Sequence, residues 1–546
     1  MTHSAHVDTF ARDHLPPPGL QPEFRFDLPE LQFPEQLNCA TELLDRAVAE
    51  GRGGRLAVQG LVRGNWVQWT FAELQGEADR IARVLVEDMG LVSGNRVLLR
   101  APNSPLLAAC WFAVIKAGGI AVGTMPLLRA KELTQIVTKA EVSHALCDAR
   151  LADELALALP GCPTLRHLLH FNTDAAGELD VLSAAKPAGF ANVETGRDDT
   201  CLIAFTSGPP GIPKGTMHSH RDVRAACMCW PRKVLRPRPD DRFIGSPPLA
   251  FTFGLGGLLL FPLAAGASTI LIEKATPDVL PALIEQHRAT TLITAPTSYR
   301  AMAPQLAGHD LSSLRQCVSA GEALPAATRK LWKEASGIEI IDGIGSTELL
   351  HIFISHDEAH AKPGATGKPV PGYTACVVDD ELRQLPPGQV GRLAVKGPTG
   401  CRYLTTPGDD RQRSYVQGGW NLTGDAYLVD DDGFFVYQAR TDDMIISGGY
   451  NIAGPEVESA LLMHPAVAEC GVVGVPDAER GQIVKAFVVL RPGHPAGETL
   501  VRELQDFVKA SIAPYKYPRA IEFREALPKT QTGKLQRFAL RTESQS

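Results

Sequence analysis

Hydrophobic positions recur with a helical period along most of the chain and alternate with short apolar runs. The first clear case begins at Thr70, whose spacing to Glu73 is that of a capping box, and apolar residues continue at helical intervals to Leu85 before the strand-like segment 96–99. The same alternation returns at residues 111–122, 131–147 and 277–295. Alternating helices and buried strands are typical of sheets covered by helices, so the sequence predicts an α/β fold.

The pattern changes twice towards the C-terminus. From about 362 to 439 short alternating strands are separated by Gly, Pro and Asp, which predicts a mainly β, barrel-like subdomain. The stretch after Arg440 is large enough for a small α+β domain, and 546 residues exceed what one hydrophobic core normally organises. We therefore predict a large N-terminal domain with two helix-covered sheets, residues 1–441, and a small C-terminal domain, residues 442–546.

Composition and charge exclude several classes of function. A net charge of -7 gives no general attraction for polyanions, so no nucleic-acid partner is expected. Residues 1–18 lack the basic start and apolar core of a secretory signal, so we expect a cytoplasmic protein. The longest apolar stretch, Leu249 to Ala267, is interrupted by Gly and Pro, which favours a packed, turn-rich segment over a bilayer helix; no membrane partner is expected.

The cysteines and histidines do not form a metal-site pattern. The 11 cysteines are scattered without a CxxC pair, which favours reduced structural thiols. His218 and His220 have alternate spacing, but without further ligands we interpret them as loop residues.

The most informative segment follows the short apolar strand 201–205. It reads Thr206-Ser207-Gly208-Pro209-Pro210-Gly211-Ile212-Pro213-Lys214-Gly215. Hydroxyl groups, backbone N–H groups beside glycines and a lysine charge are suited to bind phosphate. A Pro/Gly surface turn is the alternative interpretation. A Walker A loop is excluded because Lys214 is followed by Gly215 and not by Ser or Thr.

This segment resembles the phosphate loop of the adenylate-forming superfamily, which includes acyl- and aryl-CoA ligases, firefly luciferase and the adenylation domains of nonribosomal peptide synthetases. The resemblance extends over nearly the whole chain. The family's loop usually reads TSG(S/T)TGxPKG, whereas Pro209 and Pro210 occupy both central hydroxyl positions here. Two donors are therefore missing, which predicts weaker ATP binding, or a non-catalytic acyl- or nucleotide-binding protein if the loop is degenerate. Thr206, Ser207, Gly208 and Lys214 remain as phosphate-binding candidates.

A second motif, Asp-Gly-Ile-Gly-Ser-Thr-Glu at 342–348, resembles another family motif. An isolated Ser-Thr-Glu is more often a helix cap. The resemblance instead implies that Thr347 contacts the α-phosphate and that Glu348 binds Mg²⁺, a hard cation that prefers carboxylate oxygen. It also implies that the backbone of Gly321, Glu322 and Ala323 lies along the adenine, where an ordinary helix start is the alternative. Asp425 and Arg440 would bind the ribose, where a hairpin turn with a surface ion pair is the alternative. The implied nucleotide-binding residues are Gly321, Glu322, Ala323, Asp342, Gly343, Ile344, Gly345, Asp425 and Arg440.

The C-terminal region carries Pro528-Lys529-Thr530-Gln531-Thr532-Gly533-Lys534, which resembles the family's last motif. The resemblance implies that Lys534 bridges the substrate carboxylate and the α-phosphate, where a developing negative charge needs a positioned cation. It also implies that the small domain is mobile and rotates about a hinge at Asp442. Residues of this domain would then bind coenzyme A: Gly448, Gly449, Tyr450, Arg480, Tyr515 and Lys516.

The acid-binding segments indicate the class of substrate. Phe251 stands where many family members have histidine, and a phenylalanine can stack on an aryl ring. Together with the segment 349–353, this makes the chain most similar to benzoate- and 2-aminobenzoate-CoA ligases. The predicted pocket residues are Phe251, Ala320, Gly345, Leu349 and His351. His351 is interpreted either as a hydrogen-bond partner of a ring substituent or as a structural residue.

The predicted activity is conversion of an aromatic acid, with 2-aminobenzoate or benzoate preferred, into aryl-AMP and then aryl-CoA. Its cofactors would be ATP, Mg²⁺ and coenzyme A, and its catalytic residues Lys534, Thr347, Glu348 and Lys214. Transfer to a carrier-protein thiol and activation of a fatty acid remain alternatives. The protein would be a monomer or a homodimer.

Overall fold

The computed structural model describes residues 3–206, 213–405, 410–447, 450–477, 480–512, 514–530 and 534–544. Its strands, in chain order, are β1 (Leu56–Val62), β2 (Asn65–Thr70), β3 (Arg96–Arg100), β4 (Ile120–Thr124), β5 (His144–Asp148), β6 (His167–Phe171), β7 (Thr200–Thr206), β8 (Lys214–Ser219), β9 (Arg242–Gly245), β10 (Ser268–Leu271), β11 (Thr291–Thr294), β12 (Gln316–Ser319), β13 (Ile340–Gly345), β14 (Ile352–Ser355), β15 (Lys368–Pro369), β16 (Thr374–Val378), β17 (Gly391–Lys396), β18 (Val416–Gln417), β19 (Trp420–Val429), β20 (Phe435–Arg440), β21 (Ile445–Ser447), β22 (Tyr450–Ile452), β23 (Val467–Asp477), β24 (Gly481–Leu490) and β25 (Ala520–Phe523).

Helices lie between most of these strands. The α-helices are α1 (Phe10–Asp13), α2 (Phe71–Arg83), α3 (Pro105–Lys116), α4 (Ala130–Lys139), α5 (Ala152–Ala158), α6 (Leu179–Ala184), α7 (His220–Met228), α8 (Thr252–Leu255), α9 (Phe261–Ala264), α10 (Leu280–His287), α11 (Pro296–Met302), α12 (Ala326–Ser336), α13 (Arg411–Tyr415), α14 (Gly454–Leu462), α15 (Glu498–Ser511) and α16 (Arg537–Glu543). The capping box at the start of α2 is confirmed, since Thr70 accepts from the backbone of Glu73 and Glu73 accepts from that of Thr70.

Two large sheets form the centre of the N-terminal part. One has six strands in the order β6-β5-β3-β4-β7-β8, and the other has nine in the order β15-β14-β13-β12-β11-β9-β10-β1-β2. Their inner strands pair in parallel, as the helix–strand alternation predicts, while β8 pairs antiparallel with β7. The α/β fold class is therefore confirmed.

The mainly β region and the small C-terminal part are also present. Strands β16 to β20 form an antiparallel five-stranded sheet. Further along the chain, β23, β24 and β25 form a three-stranded sheet next to α14, α15 and α16. Apolar side chains from β23, β24, α14 and α15 make a hydrophobic core of their own.

The prediction of a turn-rich segment between Leu249 and Ala267 was wrong, because the chain is helical from α8 through a π-helical turn at Gly256–Leu260 to α9. The glycines allow close packing instead of turns. A Cβ atom on Gly254 would lie 2.1 Å from the Pro248 carbonyl oxygen, and one on Gly256 would lie 2.4 Å from Cδ2 of His351. Within the described ranges, no helix is both long and apolar enough to cross a membrane.

The interpretation of His218 and His220 as loop residues was also wrong. His218 lies in β8 and His220 begins α7, and both are buried. The possible ligand atoms of Cys39, Cys201 and His220 lie within 4.8 Å of one another. The backbone N–H of Cys39 donates to Nδ1 of His220 at 3.1 Å, so the lone pair of this nitrogen already has a partner. All 11 cysteines are buried with free thiols.

Candidate active site

The predicted phosphate loop connects two antiparallel strands. Thr206 at the end of β7 pairs with Lys214 at the start of β8, so the segment between them begins and ends at the same place on the sheet. The predictions for Ser207 and Gly208, like the two prolines after them, lie outside the described residues. Thr206 and Lys214 are both partly exposed at this end of the hairpin.

The other strand of this hairpin, β8, is joined to the segment around Tyr403. The backbone N–H of Met217 donates to the Arg402 carbonyl at 2.8 Å, and that of Leu404 donates to the Gly215 carbonyl at 2.8 Å. The Lys214 ammonium lies 5.8 Å from the centre of the Tyr403 ring. Sequence reasoning missed Tyr403, because its contacts are with residues far away in the sequence.

The second motif begins in β13 and continues into a tight turn. The Leu350 N–H donates to the Thr347 carbonyl at 3.2 Å, and Leu350 has a positive φ of 70°. Nε2 of His218 donates to the same carbonyl at 2.8 Å, and burial together with Arg402 lowers the pKa of His218 to about 3. A neutral buried histidine therefore ties β8 to this turn.

Glu348 is buried within this turn, where its Oε1 accepts a hydrogen bond from the Tyr403 hydroxyl at 2.5 Å. The Ser346 hydroxyl lies 3.3 Å from the Tyr415 hydroxyl. Two hydroxyl groups, those of Ser346 and Thr347, and then the carboxylate of Glu348 thus follow directly after β13. Carboxylate oxygen is a ligand type that Mg²⁺ prefers.

Asp342 is the first residue of the motif and is buried in β13. Burial raises the pKa of its carboxyl to about 7, although Arg329 acts in the opposite direction. Its Oδ1 has no hydrogen-bond partner among the described residues. A buried polar atom of this kind is suited to a ligand that supplies a donor. Gly343 and Ile344 follow in β13, where both pair with β14.

The predicted ribose-binding pair lies on neighbouring strands. Asp425 in β19 is paired with Arg440 at the end of β20. The Arg440 guanidinium donates to Oδ1 of Asp425 at 3.1 Å and to the Thr423 carbonyl at 3.0 Å. Because Asp425 is buried, this is not a pair of freely solvated surface charges.

The C-terminal lysine reaches the predicted adenine segment. Gly321 has a φ of 91°, and a Cβ atom built on it would lie 3.6 Å from Cε and 3.8 Å from Nζ of Lys534. Desolvation of the Lys534 ammonium lowers its pKa, with Arg440 acting in the same direction and Glu322 and Asp425 in the opposite one. Lys534 is therefore brought together with the predicted ribose-binding pair, Asp425 and Arg440, and with Gly321.

The two neighbours of Gly321 differ in their surroundings. Burial raises the pKa of Glu322, whereas the nearby Lys534 lowers it. Ala323 is exposed. A carboxyl group thus faces the lysine ammonium from the N-terminal part of the chain.

His351 lies inside an aromatic cluster. Its ring centre is 4.4 Å from that of Phe261, 5.4 Å from that of Trp230 and 5.7 Å from that of Phe253. Nε2 donates to the Phe253 carbonyl at 3.4 Å, and burial lowers the pKa of His351 to about 3. Its Nδ1 has no partner among the described residues, so the neutral ring offers an unused acceptor.

The other predicted pocket residues lie on the elements around this cluster. A Cβ atom on Gly345 would lie 2.7 Å from the His351 carbonyl carbon, so the two backbones touch. Leu349 is buried and its carbonyl accepts from Thr399 at 2.7 Å. Phe251 is half-buried before α8, and Ala320 is buried directly after β12. Trp230 and Phe261 were missed, since an apolar run does not reveal which of its rings meet a distant histidine.

The predicted hinge, Asp442, lies in the 3₁₀ turn Thr441–Asp443, directly after β20 and before β21. Its side chain is outside what the structure describes. The neighbouring Asp443 forms an ion pair with Arg541 of α16. The turn thus lies between the antiparallel five-stranded sheet and the C-terminal elements.

The predicted CoA residues are only partly described. Gly448 and Gly449 lie outside the described residues, as does the side chain of Tyr450, whose backbone begins β22. Arg480 donates to the Ser447 hydroxyl at 3.2 Å, next to this hairpin. Lys516 donates to both carboxylate oxygens of Glu456 at 2.6 and 2.7 Å and lies 5.7 Å from the exposed Tyr515 ring. Within the described part of the chain, no hydrogen bond or ion pair joins Arg480 to Lys516.

Comparison with known proteins identifies the family. A family model described as AMP-binding enzyme matches residues 45–403, and one described as AMP-binding enzyme C-terminal domain matches residues 456–534. The chain is 36% identical over 519 residues to a benzoate–CoA ligase of Thauera aromatica, with 94% of this chain and 97% of that protein covered. It is 32% identical to a 4-hydroxybenzoate–CoA/benzoate–CoA ligase of Rhodopseudomonas palustris, with coverage of 92% and 94%.

Two solved structures are similar over nearly their whole length. The anthranilate CoA ligase AuaEII in complex with anthranoyl-AMP has a TM-score of 0.89 and 36% identity, with 95% of this chain and 99% of that chain covered. A benzoate CoA ligase from Burkholderia xenovorans has a TM-score of 0.82 and 33% identity, with coverage of 92% and 99%.

Proposed function

The chain belongs to the family of AMP-binding enzymes, and from this premise we propose that it activates an aromatic acid, 2-aminobenzoate or benzoate, and transfers the aryl group to coenzyme A. The general class of the enzyme, without regard to which acid it activates, is that of an AMP-forming acid–thiol ligase. One observation carries the proposal. Lys534, near the C-terminus, lies beside Gly321 and close to the buried Asp425. If Asp425 binds the ribose, the lysine ammonium is near the place where the α-phosphate of the same nucleotide would lie.

In the first half-reaction a carboxylate oxygen of the acid attacks the α-phosphorus of ATP, and the bond to the leaving pyrophosphate breaks. Lys534, Lys214 and Thr347 stabilise the charge that develops on the phosphate oxygens. The protein supplies no nucleophile of its own, so catalysis consists of positioning and charge stabilisation. Asp425 and Arg440 orient the ribose.

The Mg²⁺ ion implied by the family fits the donors at this place. Glu348 is a buried carboxylate that gives one oxygen to Tyr403, and oxygen donors of this type suit a hard divalent cation. Glu348 would hold the ion, which would neutralise charge on the phosphates. Thr206 and Lys214 lie at the base of the loop that would surround those phosphates.

In the second half-reaction the CoA sulfur attacks the carbonyl carbon of aryl-AMP, the bond to AMP breaks, and the thiol proton passes to solvent. We assign residues 1–441 and 442–546 to two domains that rotate about Asp442 between the steps. Lys534 would withdraw, and the segment Gly448-Gly449-Tyr450 would approach the thioester site. Arg480, Tyr515 and Lys516 are the candidates for binding the nucleotide end of CoA.

The aromatic surroundings of His351 support an aryl acid. Three aromatic rings pack around a neutral histidine here, and aromatic side chains of this kind also pack well against an aryl ring. Nδ1 of His351 has no partner among the described residues and is an acceptor, and the amino group of 2-aminobenzoate is a donor. This complementarity favours 2-aminobenzoate over benzoate.

Pyrophosphate release tests the proposal. Purified protein with MgATP is offered benzoate, 2-aminobenzoate or hexanoate, with CoA, with a phosphopantetheinyl carrier protein or without an acceptor. We expect release with the aryl acids that rises on adding CoA. Release that rises only with the carrier would assign a different acceptor, and preference for hexanoate would contradict the aryl assignment. No release with any acid would favour a non-catalytic binding protein.

A further inference from the structure

Tyr403 is held in a fixed orientation beside the candidate cation ligand. Its backbone N–H donates to Oε1 of Gln412 at 2.9 Å, and Thr216 of β8 forms a bridge with it. The ring is buried and packs edge-on against Tyr415, with the ring centres 5.8 Å apart. Backbone and ring are therefore both fixed before any ligand binds.

The Tyr403 hydroxyl contacts a residue 55 positions away. It donates to Oε1 of Glu348 at 2.5 Å, and both side chains are buried. A hydroxyl-to-carboxylate bond of this length belongs to the strong, charge-assisted class.

We propose that Tyr403 is a positioning residue for Glu348: by occupying Oε1, it fixes the carboxylate so that the other oxygen is presented to the divalent cation of the nucleotide. This inference rests on the proposed function. The Tyr403 ring also lies against Lys214, with 5.8 Å from the ammonium to the ring centre. One side chain thus contacts both the candidate cation ligand and the lysine at the end of the predicted phosphate loop.

A positioning role differs in its consequences from a purely structural one. Partners that orient a metal ligand typically change metal affinity or activity about 10- to 100-fold when they are removed. A structural hydroxyl would lower stability without changing the dependence on the cation. Tyr403→Phe keeps the ring against Lys214 and removes only the bond to Glu348.

The test measures cation binding as well as activity. Binding of Mn²⁺ to the protein with α,β-methylene-ATP is followed by electron paramagnetic resonance, and the Mg²⁺ concentration for half-maximal pyrophosphate release is measured in parallel. For Tyr403→Phe we expect both to weaken roughly tenfold or more, with the rate recovering at saturating Mg²⁺. Tyr299→Phe is the matched control, because its buried hydroxyl donates to the Leu292 and Val318 carbonyls, on β11 and β12, and to none of the candidate phosphate or cation ligands.

A double-mutant cycle with Glu348→Gln identifies the route of the effect. If Tyr403 acts through Glu348, adding Tyr403→Phe to Glu348→Gln changes Mn²⁺ binding little further. Unchanged Mn²⁺ binding in Tyr403→Phe, or an equal loss with and without Glu348→Gln, overturns the inference while the proposed function stands. A wild-type protein that releases no pyrophosphate at any Mg²⁺ concentration overturns the proposed function, and this inference with it.

Discussion

Arg300 joins the two parts of the chain in the arrangement that brings Lys534 to Gly321. Arg300 lies in α11. Its Nε donates to the Ala468 carbonyl at 3.1 Å and its Nη2 donates to the Val467 carbonyl at 3.3 Å, and both carbonyls are at the start of β23. If adenylation needs this arrangement and thioester formation needs another, Arg300→Ala should affect only the first.

The size of the effect follows from the two bonds. A hydrogen bond with a charged partner contributes about 1.5–3 kcal/mol when fully buried. Arg300 is only partly buried, and desolvation lowers the pKa of its guanidinium, so part of this gain is lost. We take about 1–2 kcal/mol for the pair, which corresponds to roughly a 5- to 30-fold shift of the equilibrium away from the arrangement with Lys534 inserted.

Separate assays of the two half-reactions measure this shift. For Arg300→Ala we expect acid-dependent exchange between pyrophosphate and ATP to fall about tenfold, while the rate of aryl-CoA formation from synthetic aryl-AMP stays within about twofold. Arg288→Ala is the control, because the Arg288 side chain contacts Asp310 and Ser312 within the N-terminal part. An equal decrease in both half-reactions, or no decrease in either, would refute the argument.

Three further changes have defined outcomes. Lys534→Ala should lower pyrophosphate exchange about 10²- to 10³-fold and leave thioester formation from aryl-AMP largely intact; equal loss of both would contradict its role at the α-phosphate. His351→Phe should reduce the preference for 2-aminobenzoate over benzoate in kcat/KM about three- to tenfold, and an unchanged ratio would exclude the hydrogen bond. Burial raises the pKa of Asp342 to about 7, so the folded protein retains a proton that the unfolded chain loses above about pH 4, and stability falls as the pH rises through this range. Asp342→Asn should therefore raise Tm at pH 8 relative to the wild type, with the gain disappearing towards pH 4; a gain of the same size at both pH values would show that the carboxyl does not titrate in this range.

Features that depend on neighbouring residues could be predicted from the sequence. The capping box at Thr70 and the buried strand before Thr206 are examples, because the residues that form them are adjacent along the chain. The same holds for the antiparallel strands β16 and β17, whose alternating pattern is local. The fold class follows from such patterns, and so does the strand β7 that leads into the predicted phosphate loop.

Features that depend on distant contacts could not be predicted. The bond between Tyr403 and Glu348 joins positions that no local pattern relates. The glycines at 254 and 256 suggested turns, but they serve close packing inside a helical segment, which needs the positions of Pro248 and His351 to be recognised. His218 was interpreted as a loop residue because no further metal ligands accompany it in the sequence. In the structure it is buried in β8 and its Nε2 donates to the Thr347 carbonyl.

The most direct test of the account follows a radiolabelled aryl acid through a single turnover. Protein in excess over [¹⁴C]-2-aminobenzoate is mixed with MgATP, quenched at intervals, and then mixed with CoA. The account predicts that label accumulates first as aryl-AMP and passes to aryl-CoA only after CoA is added, with one AMP released per aryl-CoA. Label that stays in the free acid with both benzoate and 2-aminobenzoate, or that reaches CoA without passing through aryl-AMP, would contradict it.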